Sequence, residues 1–130
     1  MSKNILYFVP GIENPAKRKH ILFLEKSGFN IAKVNTLEAL PTKIELLNPT
    51  ALILNDEMSL KDSLPLIGEL PVIVLSKQNK NIAEIMSSMP ETSSIIFFRT
   101  EADPIDSLLE TIGLCDRIYG TEKSDLDNKT

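Results

Sequence analysis

The stretch Ala51-Leu52-Ile53-Leu54-Asn55-Asp56-Glu57-Met58 turns from apolar to polar within one residue. Its apolar half is short, continuous and preceded by the turn signal Asn48-Pro49, which reads as a strand buried on both faces rather than a half-exposed one. Such a strand needs a covering layer on each side, and that implies an open α/β sheet. In those sheets the sites are built just beyond the carboxyl ends of the strands. A carboxylate there could accept a phosphoryl group or hold a metal ion. The neutral amide of Asn55 suits neither task, so the chemistry of this position is either lost or carried by Asp56.

Working outward, Asn4 to Val9 reads as a first buried strand closed by Pro10-Gly11. Asn14-Pro15 is a helix start, with Asn as N-cap and Pro at the first helical position. That helix carries Ile21, Leu22 and Leu24 and stops at Ser27-Gly28, where Gly can take the left-handed cap. Phe29 to Val34 alternates as a half-buried strand. Leu37, Leu40, Ile44 and Leu47 have helical spacing, but Pro41 favours a turn followed by a short helix. Leu60, Leu64 and Ile67 suggest a further helix, which Pro65 and Gly68 keep short or abolish. Pro71 opens a strand over Val72 to Leu75 that ends at Ser76. Asn81 to Met89 is a helix candidate, Ile95 to Phe98 a fifth strand ending at Arg99, and Asp103-Pro104 the start of a last helix. Ile105, Leu108, Leu109, Ile112 and Cys115 form the apolar stripe of that helix.

Five alternations of strand and helix, with continuous apolar strands, predict a three-layer, doubly wound parallel five-stranded sheet. The expected fold is flavodoxin-like with strand order 2-1-3-4-5 and a third helix that is short or missing. Residues 1–120 form the expected domain. The polar tail 121–130 is expected to be disordered.

Composition narrows the function classes. At 130 residues the chain can bury a core without disulfides or metals. A net charge of −4 argues against nucleic acid as partner, because phosphate neutralisation needs clustered Lys and Arg. The one basic cluster, Lys17-Arg18-Lys19-His20, is expected to be a solvated helix face, with His20 in water. One Cys and one His are too few for a zinc site, and Cys115 is expected to act as a small buried hydrophobe. There is no Gly-x-Gly-x-x-Gly and no Walker lysine pattern. The chain opens directly into a strand-like segment, and no apolar run approaches bilayer length. The expected compartment is therefore the cytoplasm, with no membrane partner.

The strand ends can now be read together. Strand one ends in Val9-Pro10-Gly11 with Glu13 beyond it, strand three in Asn55-Asp56-Glu57-Met58-Ser59, strand four in Ser76-Lys77 and strand five in Arg99-Thr100. With Ser27-Gly28-Phe29 before strand two and Leu70-Pro71 before strand four, this order resembles the receiver domain of bacterial response regulators, over nearly the whole chain to about Gly120. In that family an acidic pair after strand one helps hold Mg²⁺ and an aspartate after strand three takes the phosphoryl group. A Thr or Ser after strand four and a Lys after strand five bind its oxygens.

Position by position the resemblance breaks at the chemistry. The acid pair falls on Val9-Pro10 or Pro10-Gly11, which offer no side-chain oxygen for Mg²⁺. The phosphoacceptor falls on Asn55, whose amide cannot form an acyl phosphate. Ser76 matches, Arg99 replaces Lys with a different hydrogen-bond geometry, and the aromatic switch position falls on Ile96.

The resemblance therefore implies a degenerate receiver-like domain with no catalytic residues, no metal and no cofactor. It would signal by phosphorylation-independent contact with another signalling protein, or with itself. The expected surface is the face of the fourth helix, fifth strand and fifth helix, Asn81 to Met89 and Ile96 to Tyr119. The alternative is a divergent receiver phosphorylated on Asp56 with weakly held Mg²⁺, for which Glu13 and Glu57 are the residual acids. A small-ligand module using the same crevice is the third reading. Arg99 would either bind an anion or pair with Asp56 or Glu13 to close the site. Because no output domain follows Gly120, the chain is expected to act through a partner or through its own assembly.

Overall fold

The computed structural model describes residues 3–9, 15–54, 57–76, 87, 94–100 and 106–120. Five parallel strands, β1 (Asn4–Phe8), β2 (Asn30–Val34), β3 (Ala51–Leu54), β4 (Val72–Ser76) and β5 (Ile96–Thr100), form one sheet in the order β2-β1-β3-β4-β5. Helix α1 spans Pro15–Lys26, α2 Leu40–Leu47, α3 Glu57–Ser63, and a C-terminal helix Asp106–Cys115. Among the described residues no helix is long and apolar enough to cross a membrane.

The apolar strands are continuous because each side of the pleat faces a separate core. Ile5, Tyr7, Ile53, Ile73 and Leu75 point to one face and pack with Ile21 and Leu24 of α1 and with Leu108, Ile112 and Cys115 of the C-terminal helix. Leu6, Phe8, Leu52, Leu54, Val72 and Val74 alternate to the other face and meet Leu40 of α2 and Leu60 of α3. β2, at the sheet edge, buries only Val34 fully and reads as the half-exposed strand expected there.

Helix ends follow from local chemistry. α1 closes in a Schellman arrangement: the Phe29 N–H donates to the Leu24 carbonyl and the Gly28 N–H to the Glu25 carbonyl, each at 3.1 Å. Gly28 takes φ +100°, so Phe29 belongs to the cap and packs against the first core rather than opening β2. A Cβ at Gly28 would meet open space, so Gly28→Ala carries a conformational cost alone, about 1–2 kcal/mol. The check is a urea melt against the parent chain.

α2 is preceded by a 3₁₀ turn over Leu37–Ala39, with Pro41 in its first turn and Asn48 left-handed at its end (φ 48°). This is the turn and short helix expected from Pro41, which is seated where its missing N–H costs nothing. α3 has 7 residues and passes into a 3₁₀ turn at Leu64–Leu66. Pro65 lies in that turn and Gly68 follows at φ +62°, which is the short third helix the sequence predicts.

Two expectations are corrected in detail. β5 runs one residue past Arg99, to Thr100, because Ser76 and Thr100 remain register partners. His20 is half-buried rather than in water, and its Nδ1 is buried with no hydrogen-bond partner among the described residues. Its neighbour Ile21 is buried in the first core. The helix expected over 81–89 and the tail 121–130 lie outside the described residues, apart from Ser87.

Cys115 is fully buried, and burial pushes its thiol up to about 12. It is expected to resist alkylation at pH 8 in the folded chain and to react completely in denaturant, as read by mass spectrometry. The thiolate is disfavoured only in the folded state, so this group's contribution to stability is intact below pH 9.0, the thiol's ordinary value, and falls as pH rises toward 12.

Candidate functional site at the carboxyl edge of the sheet

Because all strands run parallel, the carboxyl ends of β1, β3, β4 and β5 line one edge. β1 is the reversal point of the strand order: the chain leaves it for the edge strand β2 and returns to its other side as β3. The gap between the ends of β1 and β3 is therefore where a crevice is expected. Leu54 ends β3 at that edge, and Asn55 and Asp56 follow it in the sequence. They and Glu13 lie outside the described residues. Glu57 opens α3 and Ser76 ends β4.

Val9 carries the ladder one step past β1: its N–H donates to the Val34 carbonyl at 2.8 Å. Its side chain is buried in the first core beside Ile5 and Tyr7. This first candidate for the acid pair is thus an apolar core position. A carboxylate there would pay desolvation without a partner.

Arg99 registers with Leu75 and lies on the face covered by the C-terminal helix. It is half-buried, and its Nε–H donates to Thr111 Oγ1 at 3.0 Å. The Thr111 hydroxyl, fully buried, donates in turn to the Ser107 carbonyl at 2.8 Å. Among the described contacts, the Arg99 Nε–H has this threonine as its partner. Sequence reasoning passed over Thr111, although a signal existed. Leu108, Thr111, Ile112 and Cys115 share one buried stripe, and a polar residue inside such a stripe must find a partner. Ile96, at the aromatic switch position, is half-buried and packs against the second core, as does Phe98.

No protein-family model matches this sequence, and no curated protein sequence matches it. Solved structures do. The N-terminal domain of a response regulator/sensory box/GGDEF three-domain protein from Carboxydothermus hydrogenoformans is similar at TM-score 0.67 and 18% identity, over 92% of this chain and 98% of that one. The BeF3-activated N-terminal receiver domain of Klebsiella pneumoniae RstA gives TM-score 0.63 and 16% identity, over 88% and 99%. This is the receiver fold. A signal receiver domain of a LuxO repressor protein from Vibrio parahaemolyticus repeats it at TM-score 0.63 and 16% identity, over 95% and 96%. The receiver fold in this chain has its short third helix on the second core face and its basic strand-five residue tied to the C-terminal helix.

Proposed function

We propose that this chain is a receiver-like signalling module that works by protein contact without phosphorylation, binding rather than catalysing, and acting in the cytoplasm. Its unit is residues 1–120. Its contact surface is the face of the 81–89 segment, β5 and the C-terminal helix, and its partner is another signalling protein or a second copy. The observation that carries this reading is the pair of changes at the strand ends: Val9 is buried in the core and the Nε–H of Arg99 is bonded to Thr111. Together they take one metal-holding position and one phosphoryl-binding side chain toward structural duty. Asn55 at the acceptor position agrees with both. Ser76, Asp56, Glu13 and Glu57 would then serve as a polar rim rather than as a metal and phosphoryl site.

The test is a titration with Mg²⁺ and beryllofluoride followed by amide NMR. No shifts clustered at Asp56, Ser76 and Arg99 are expected, and Asp56→Ala is expected to give the same null response. A clustered response lost in Asp56→Ala would instead identify a divergent but phosphorylatable receiver.

A further inference from the structure

The outer face of α1 carries an exposed leucine between two exposed lysines. Lys19, Leu22 and Lys26 fall at spacings of three and four, which share one stripe of a helix. Ile21 and Leu24 hold the other side of α1 in the first core, and Leu22 is 48% exposed. Among the described residues neither lysine has an ion-pair partner. Glu25, an exposed acid of this helix, falls outside that spacing. One exposed leucine is ordinary, but one framed by two like charges is a patch with a sign.

Lys3 fixes where the C-terminal helix ends. Its side chain pairs with Asp116, the first residue of the helical segment Asp116–Gly120. Its carbonyl accepts the Asn30 N–H, at the start of β2, at 2.9 Å. β2 follows directly on the cap that closes α1. The C-terminal ends of both helices therefore meet at the amino edge of the sheet, on the same face. The chain goes on from that corner as Thr121-Glu122-Lys123-Ser124-Asp125-Leu126-Asp127-Asn128-Lys129-Thr130. The apolar residue of this stretch, Leu126, stands between two acids, as Leu22 stands between two bases.

We propose that Asp125-Leu126-Asp127 docks on the outer stripe of α1 in the same chain, Leu126 against Leu22 and the two carboxylates with Lys26 and Lys19. Length allows it. Leu126 is six residues past Gly120, a reach of about 20 Å, and Leu22 lies about 6 Å along the helix axis from Lys26. Charge and tethering decide the occupant. Acid-leucine-acid complements lysine-leucine-lysine, and a segment on so short a linker acts at an effective concentration in the millimolar range. Exposed ion pairs are weak and screened by salt, so the contact is a reversible cover rather than part of the core. The chain thus covers its own α1 face, and a protein that binds this face has to displace 125–127.

A nitroxide attached to Thr130→Cys in the full chain tests this through the broadening of amide NMR signals; Cys115 is buried and stays unlabelled. Broadening is expected to centre on Lys19 to Lys26 and not to change on dilution. It should fall about two-fold in Leu126→Ser, and again in about 0.5 M salt. Lys19→Glu with Lys26→Glu should abolish it, and adding Asp125→Lys with Asp127→Lys should restore it. Broadening spread evenly over the surface overturns the proposal, as does broadening indifferent to Leu126→Ser and to the charge exchange. Broadening that arises only between a spin-labelled and an isotope-labelled copy also overturns it, since the occupant would then be a second chain. A beryllofluoride response at the carboxyl edge would overturn phosphorylation independence while leaving this contact standing.

Discussion

Ile53→Ala is expected to destabilise the chain by about 3–5 kcal/mol. Ile53 sits on β3, the middle strand, and is fully buried. Its register partners are Tyr7 on β1 and Ile73 on β4, also fully buried, so the cavity is walled by strands that cannot collapse into it. Domains of this size are stable by roughly 5–15 kcal/mol, so the loss takes a large share of the total. The measurement is the urea midpoint at constant slope. Leu46→Ala is the control: Leu46 is 72% exposed, and its removal is expected to stay within about 0.5 kcal/mol. Equal midpoints for the two variants would mean that the first core is not packed around β3 as described.

Thr111→Val is expected to cost about 1.5–2 kcal/mol although it conserves shape. It removes the acceptor of the Arg99 Nε–H and leaves a cationic donor half-buried without that bond. Hydrogen bonds to charged groups contribute about 1.5–3 kcal/mol, and the partial exposure of Arg99 places this one at the lower end. Thr111→Ser keeps the hydroxyl and should recover most of the loss. Arg99→Met alone should also destabilise. In the double variant the penalties should fall short of additive by about 1 kcal/mol, the signature of a direct contact. Strict additivity in chemical denaturation would refute the Arg99–Thr111 link and remove a main support of the proposed function.

Much of the fold was legible because strand burial and helix caps are written locally. The unbroken apolar runs at Ile5 to Val9, Ile53's neighbours and Val72 to Leu75 could only be strands covered on both faces. Gly28 marked the end of α1, and Pro65 with Gly68 marked a short α3. The candidate site was legible as a set of residues but not as an arrangement. The sequence placed Arg99 at a strand end, as an anion ligand or a partner for Asp56 or Glu13. The register of β5 with β4 adds that it lies opposite Leu75, one step inside the strand, where its Nε–H meets Thr111 of the C-terminal helix.

What the sequence determined alone is the layering, the alternation of elements and the absence of a carboxylate at Val9 and Asn55, since each follows from residue type and short-range spacing. The tertiary structure decided where polar groups found partners. Thr111 and Arg99 are 12 residues apart, on different elements, and no periodicity reports which side chains meet across a packed interface. The same holds for His20, half-buried beside the core residue Ile21, and for Val9, whose side chain joins the core cluster that includes Ile21 and Leu24 of α1. Packing sets those contacts, because a buried polar group takes whichever partner the completed fold brings within reach.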